Sequence, residues 1–130
     1  MPMSIEHMNN LLATLRSEMQ DFLDRYTPPS KGETLGTPWD KEKVRQEIRE
    51  MESLIVEPFE CEYFCDDSMI PEEERLTAGE RMGFVVAIDG SYALIYDPLA
   101  EDYALIYEGS SGRWSSWGIR GDACSTFFAR

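Results

Sequence analysis

The residues that most often perform catalysis are sparse in this chain. His7 is its only histidine, and no nucleophile or acid stands near it at a spacing typical of a catalytic pair. The chain also lacks a phosphate-binding loop, a dinucleotide-binding glycine pattern and a nucleophile elbow. The sequence therefore predicts a protein that is not an enzyme, with no catalytic residue and no cofactor.

Three cysteines could in principle bind a metal or form a disulfide. Cys61 and Cys65 lie on one face of a predicted strand, at a spacing that differs from the two-residue gap of a zinc knuckle. Cys124 and His7 would have to complete a ligand set from distant parts of the chain. An odd number of cysteines argues against a disulfide scaffold. We therefore expect buried, reduced thiols and no metal site.

Carboxylates dominate the charged groups, because 25 acidic and 12 basic residues give a net charge of −13. Such a field repels nucleic acid and attracts basic proteins. The acids concentrate in segment 57–80, where "DDSMIPEEE" (66–74) lacks the alternate-residue ligand spacing of a calcium loop. We expect this segment to face a basic partner. The acidic candidates are Glu60, Glu62, Asp66, Asp67, Glu72, Glu73 and Glu74.

The pentapeptide Tyr-Ala-Leu-Ile-Tyr occurs twice, at 92–96 and 103–107. Strand alternation divides the predicted sheet into two faces. One face is apolar with small alanines that let a helix approach closely, and we assign it to the core beneath the first helix; it holds Phe84, Val86, Ile88, Ala93, Ile95, Ala104 and Ile106. The opposite surface, here called the tyrosine face, holds Val85, Ala87, Tyr92, Leu94, Tyr96, Tyr103, Leu105 and Tyr107.

Tyrosine suits a boundary, since it combines an apolar ring with a polar tip, and it is enriched where proteins bind each other. The tyrosine face could be covered by the acidic segment 66–81, by loop 27–38, by a second subunit or by a partner protein. Trp114 and Trp117 lie on opposite faces of a predicted strand, so only one should enter the core. The aromatic partner-binding candidates are Tyr92, Tyr96, Tyr103, Tyr107, Trp114 and Trp117.

The elements that must position these side chains follow from periodicity and from breakers. Apolar residues at helical spacing predict helices over 4–26, capped by Ser4, and 38–56, capped by Thr37 and ended by Pro58. Alternation and turn residues predict strands over 59–65, 83–88, 91–96, 103–107 and 113–119, and Asp122 caps a helix over 122–129. A two-residue turn at Asp89-Gly90 sets Ala87 opposite Tyr92, and a second turn sets Tyr96 opposite Tyr103.

This order of elements predicts an α+β fold. Two N-terminal helices pack on one face of a four- to five-stranded antiparallel sheet with a meander over 83–119, and a short helix follows. All 130 residues are expected to form one domain, 1–130. No signal peptide and no membrane-spanning run is evident, so we expect a cytoplasmic protein that does not bind membranes.

Two N-terminal helices, a meander that includes "ALIYDPLAEDYALIY" (93–107) and a closing "GDACSTFFAR" (121–130) resemble the SUKH superfamily of bacterial toxin-immunity proteins. The resemblance covers mainly the last 50 or so residues. It implies a cytoplasmic inhibitor that neutralises a toxin by occluding its active site.

The leading hypothesis is therefore an acidic, non-enzymatic protein-binding domain of the immunity type, whose partner is a basic protein. One alternative is a nucleic-acid mimic, of the phage anti-defence type, that inhibits a DNA- or RNA-binding enzyme. Another is a small-molecule-binding domain or enzyme with a cavity lined by Trp117, Tyr63, Arg120 and a carboxylate. A homodimer that buries the tyrosine face is a further alternative.

Overall fold

The computed structural model describes residues 4–29, 38–65 and 79–130. Within these ranges the elements are the helices α1 (Ile5–Arg25) and α2 (Lys41–Ser53), the strands β1 (Ile55–Cys65), β2 (Gly79–Asp89), β3 (Tyr92–Asp97), β4 (Asp102–Glu108) and β5 (Trp114–Gly121), and the helix α3 (Ala123–Phe128). The predicted α+β class and the order of the elements are confirmed. The acidic candidates Asp66, Asp67, Glu72, Glu73 and Glu74 lie outside the described residues.

The two N-terminal helices begin at side-chain caps. Ser4 Oγ accepts a hydrogen bond from the backbone N–H of His7 at 3.1 Å, as the sequence predicts for α1. The cap of α2 is Asp40, whose carboxylate accepts from the N–H of Lys43 at 2.7 Å. The predicted cap, Thr37, lies outside the described residues.

The second helix ends earlier than its sequence pattern predicts. It ends at Ser53, and Pro58 lies inside β1 instead of terminating the helix. The β1–β2 pairing is irregular between Ile55 and Phe59. A proline is tolerated there because an irregular stretch of strand does not need every backbone N–H for the ladder.

The five strands form an antiparallel meander that closes on itself. Each strand pairs with the next one along the chain, and β5 returns beside β1 in a short parallel pairing of Phe64 with Ser115 and Cys65 with Ser116. The sheet is therefore a closed barrel with an interior and an outer surface. The sequence predicted the meander but not this closure.

The pairing of the two pentapeptides is as predicted. Tyr92 lies opposite Tyr107, Leu94 opposite Leu105 and Tyr96 opposite Tyr103. Each pair brings two identical residues side by side across the β3–β4 hairpin. The doubled pentapeptide is thus the consequence of two neighbouring strands that face the same two environments.

The predicted register of the preceding hairpin is wrong. Asp89, not Ala87, lies opposite Tyr92, and the two-residue loop is Gly90-Ser91. Gly90 adopts a positive φ of 59°, a conformation that glycine enters without steric cost. A bulge between Val85 and Ala87 then changes the pairing further along the hairpin.

The assignment of the two faces is reversed in β3 and β4, whereas Val86 of β2 does lie beneath the helices as predicted. The barrel interior is filled by one buried cluster, which consists of Tyr63, Cys65, Val85, Ala93, Ile95, Ala104 and Ile106. The helices instead pack on the outer surface, in a second cluster that includes Leu15, Met19, Met51, Leu94, Leu105, Cys124 and Phe127. The alanines serve the narrow barrel interior, where large side chains from all strands would not fit together.

The C-terminal helix completes the outer layer. Asp122 caps it by accepting from the N–H of Ser125 at 3.0 Å, as predicted. Phe127 is fully buried against the sheet, and the Arg130 guanidinium donates to Asp89 at 2.7 Å. Among the described helices, none is both long and apolar enough to cross a membrane.

Candidate partner-binding surface

The four tyrosines of the tyrosine face meet two different environments. Tyr103 is 4% exposed and lies in the core beneath the helices, and Tyr96 packs against that core with its ring centroid 5.3 Å from that of Tyr103. At the other end of the same strands, Tyr92 is 36% exposed and Tyr107 is half-buried. The chain's own helices therefore cover one tyrosine pair and leave the other pair at the surface.

The surface pair extends into a row of three aromatic side chains. The ring centroids of Tyr92 and Tyr107 are 5.8 Å apart, and those of Tyr107 and Trp117 are 5.2 Å apart. Trp117 is 56% exposed. We call Tyr92, Tyr107 and Trp117 the aromatic row. Its members come from β3, β4 and β5, so the backbone ladder of the barrel holds them in place.

A local irregularity in β5 positions Trp117. The β4–β5 pairing shifts between Ala104 and Ile106, and Gly118 takes a positive φ of 95°. The N–H of Gly118 donates to the buried Ser116 hydroxyl at 3.2 Å, which anchors the bulge from inside. Trp114 is half-buried and packs against the barrel interior, so the two tryptophans differ in burial as the sequence predicted.

The acidic candidates Glu60 and Glu62 are exposed on β1. Among the described residues, no hydrogen bond or ion pair joins either of them to the aromatic row. Their side chains lie in solvent and are among the 25 acidic groups that make the chain negative. They therefore add to the field of the molecule and not to the contacts of the row.

Polar side chains meet at one end of the barrel interior. Asp97 is fully buried and accepts from the Tyr63 hydroxyl at 2.6 Å and from Arg81 Nε at 2.7 Å. Arg120 donates to the Tyr63 hydroxyl at 2.8 Å and to Asp102 at 2.8 and 3.0 Å. We call these five residues the barrel-end cluster.

Opposed effects set the protonation of the barrel-end cluster. Burial alone would raise the pKa of Asp97, but the hydrogen bonds from Arg81 and Tyr63 outweigh it and hold that pKa well below its usual range. Burial and the hydrogen bond to Asp97 raise the pKa of Tyr63 to about 12. At neutral pH the carboxylate of Asp97 is therefore ionised and the phenol of Tyr63 is neutral.

The small-molecule alternative requires a cavity lined by Trp117, Tyr63, Arg120 and a carboxylate, and only some of these residues come together. Tyr63, Arg120 and carboxylates do come together, but they bond to one another, while Trp117 lies in the aromatic row. Sequence reasoning missed Arg81 and Asp97, whose side chains meet across 16 residues of chain. An aspartate just before Pro98 was the one local signal, since aspartate often starts a turn.

The cysteines lie in two separate places. Cys65 is buried in the barrel interior and the half-buried Cys61 packs beside it, whereas Cys124 is buried beneath the helices on the outer surface. The sheet separates Cys124 from the other two, and His7 is exposed on the first turn of α1. In the part of the chain that the structure describes, no three His, Cys, Asp or Glu side chains are grouped to hold a metal.

No protein-family model, no curated protein and no solved structure matches this chain. The resemblance to the SUKH superfamily therefore stays a prediction from the sequence.

Proposed function

We propose that this chain is an acidic, non-enzymatic binding domain that inhibits a basic protein. The observation that carries the proposal is the aromatic row, which is held at the surface of a chain with a net charge of −13. In the immunity-type form of the proposal, the partner is a toxin whose active site the bound domain covers.

The aromatic row suits an interface for two reasons. Tryptophan and tyrosine are the side chains that most often dominate binding energy when a partner excludes water from them. The three rings are also fixed on paired strands of a closed barrel, so binding orders few additional torsions. A partner that covers Trp117 would bury the largest exposed apolar side chain of the row.

The net charge of the molecule supplies selection at longer range. The electric field of a net charge of −13 raises the rate of association with a basic surface and disfavours acidic partners. The exposed carboxylates of Glu60 and Glu62 contribute to this field. Electrostatic steering and aromatic anchoring thus act at different stages, the first on the association rate and the second on the dissociation rate.

The experiment compares Trp117→Ala with Ile5→Ala, a control that removes a still more exposed apolar side chain, 74% accessible on α1, that is not a member of the row. Proteins captured from cells of the source organism are purified, and their binding kinetics are measured. We expect a basic partner that binds wild type and Ile5→Ala equally and Trp117→Ala at least about 30-fold more weakly. The purified partner should also lose its own activity when the wild-type chain is added.

Three results would overturn the proposal. A partner that binds Trp117→Ala as tightly as wild type would show that the row is not the interface. Light scattering that finds a wild-type dimer and a Trp117→Ala monomer would assign the row to self-association. A captured enzyme that acts on DNA or RNA, and that nucleic acid displaces from the domain, would support the nucleic-acid mimic instead.

A further inference from the structure

A cavity of about 480 Å³ lies at the other end of the β3–β4 hairpin from the aromatic row. One wall is α1, with Glu18. Tyr96 and Tyr103 also line the cavity, as do Glu101, Asp102 and Asp122. We call it the tyrosine–carboxylate pocket. Its size is within the range of sites that bind small organic molecules.

The hydroxyl of Tyr103 has no hydrogen-bond partner among the described residues, although the side chain is 96% buried (4% exposed). Within the same part of the chain, every fully enclosed side-chain oxygen and nitrogen has a partner. The Tyr103 hydroxyl is therefore not sealed in the core, and the space onto which it opens is the pocket that its residue lines. A buried hydroxyl without a protein partner indicates that a bound ligand can form a hydrogen bond with it.

The charges around the pocket have one sign. None of the described residues that line it is a lysine, an arginine or a histidine. Asp102 is already paired with Arg120, and Asp122 is occupied in capping α3. Among the described residues, Glu18 accepts one long hydrogen bond of 3.3 Å, from the N–H of Ala123 to Oε1, and Oε2 has no donor there.

Glu18 is also held where its charge is costly. Burial raises its pKa, and the nearby Asp122 raises it further, against the opposing effect of the Ala123 amide. Burial likewise raises the pKa of Tyr103, followed by the charge of Glu18. A cation between these two side chains would compensate the carboxylate and give the phenol oxygen a donor.

We propose that the tyrosine–carboxylate pocket binds a guanidinium or an alkylammonium group. Glu18 supplies the counter-charge, the hydroxyl of Tyr103 accepts a hydrogen bond, and the rings of Tyr96 and Tyr103 contact the group. The faces of Tyr96 and Tyr103, whose rings are tilted by 58° to each other, attract such cations and accommodate their alkyl part. The group can belong to a free amine or to a basic side chain of a protein. The site is independent of the proposed function, since no member of the aromatic row lines it.

The test is a calorimetric titration of the full chain with agmatine, which carries both cationic groups, and with butylurea as an uncharged counterpart. We expect saturable one-to-one binding of agmatine and none of butylurea. Tyr103→Phe removes only the hydroxyl oxygen, and Glu18→Gln removes only the charge. Each should weaken agmatine at least about tenfold.

Glu6→Gln is the matched control, because it makes the same charge change on an exposed position of α1. It should leave agmatine binding unchanged, and so should Trp117→Ala, which separates this site from the proposed interface. A capped Gly-Arg-Gly peptide distinguishes a free amine from a protein side chain as the ligand. If the peptide binds as tightly as agmatine, the site takes an arginine side chain of a protein. If agmatine binds and the peptide does not, the site takes a free amine. Equal agmatine binding by wild type, Tyr103→Phe and Glu18→Gln, or no binding by a folded wild type, would overturn the proposal.

Discussion

Asp97 is the residue on which most of the polar structure converges. Its Oδ2 atom accepts hydrogen bonds from the side chains of Tyr63, Arg81 and Arg120. Its Oδ1 atom accepts from the backbone N–H groups of Leu99 and Ala100 at 2.9 and 3.1 Å. One side chain therefore neutralises buried guanidinium charge and also holds the β3–β4 turn. Removing its charge should be far more harmful than removing a surface charge.

We predict that Asp97→Asn lowers the free energy of unfolding by about 3 to 5 kcal/mol, because it leaves the Arg81 guanidinium without its buried counter-charge, whereas Arg120 keeps Asp102. Urea unfolding at neutral pH measures the effect. The control is Glu52→Gln, which breaks the ion pair with Arg16 between two half-exposed side chains and should cost less than about 1 kcal/mol. Similar costs for the two variants would contradict the structural role given to Asp97.

The cost of Asp97→Asn should also depend on pH. The native state holds the pKa of Asp97 below its ordinary value of 3.8, so the native state binds this proton more weakly than the unfolded chain does. The stabilisation is therefore present above that ordinary value and is lost as the pH falls towards the lowered one. Unfolding measured in an acid series should show a constant difference between wild type and Asp97→Asn near neutrality and a shrinking difference below about pH 4.

At the scale of elements, the β2–β3 hairpin contains a position where only glycine fits. A Cβ added to Gly83 would collide with the backbone oxygen of Tyr96 and would lie 2.8 Å from Cγ1 of Ile95. The colliding carbonyl belongs to the neighbouring strand and cannot move without disturbing the ladder. The close approach of the two backbones therefore depends on the absence of a side chain at Gly83.

We predict that Gly83→Ala destabilises the chain by about 1 to 3 kcal/mol, the usual cost of overpacking a core. Gly109→Ala is the matched control, since a Cβ there would meet only Tyr107 at an ordinary 3.8 Å. Thermal unfolding of the two variants should separate them clearly. A Gly83→Ala variant as stable as Gly109→Ala would mean that β2 and β3 are further apart than described here.

The elements themselves were largely predictable from the sequence. The pairing of Tyr96 with Tyr103 followed from the symmetry of the repeat about its turn, and the caps Ser4 and Asp122 followed from local chemistry. These features depend on residues close together in the chain. Local patterns carry that information because turns and caps involve contacts between near neighbours.

The orientation of the sheet was not predictable in the same way. Periodicity states which residues share a face, and Ala93, Ile95, Ala104 and Ile106 do share one. It does not state which face the helices cover when both faces are apolar. Both are apolar here because closure of the barrel creates a buried interior in addition to the helix-covered surface.

Neither the aromatic row nor the tyrosine–carboxylate pocket could be predicted from the sequence. The sequence predicts all four tyrosines alike as partner-binding residues, but Tyr103 is buried and Tyr92 is exposed. The difference arises from which part of β3 and β4 the helices cover, which is a tertiary property. The cavity beside Glu18 likewise needs α1 to lie against residues of β3, β4 and β5, which are distant from it in the chain.

At the scale of the whole molecule, the charge of −13 should oppose folding through self-repulsion. We predict that NaCl raised from about 0.01 to about 1 M, which shortens the Debye length from about 30 to about 3 Å, raises the melting temperature by several degrees. A variant with Glu60→Lys and Glu62→Lys should melt higher at low salt and respond less to salt. Calorimetry that finds a lower melting temperature at high salt would contradict this.

The parallel pairing of β1 with β5 has a consequence for the order in which the chain folds. The β2–β3 and β3–β4 hairpins close loops of two and four residues, whereas Phe64 and Ser115 are about 50 residues apart, so the barrel should shut late. Until then the nascent sheet presents two unpaired strand edges, which are templates for aggregation. Mutual repulsion between strongly acidic chains would keep those edges apart during synthesis, so the same charge that steers a partner would also protect the unfinished barrel.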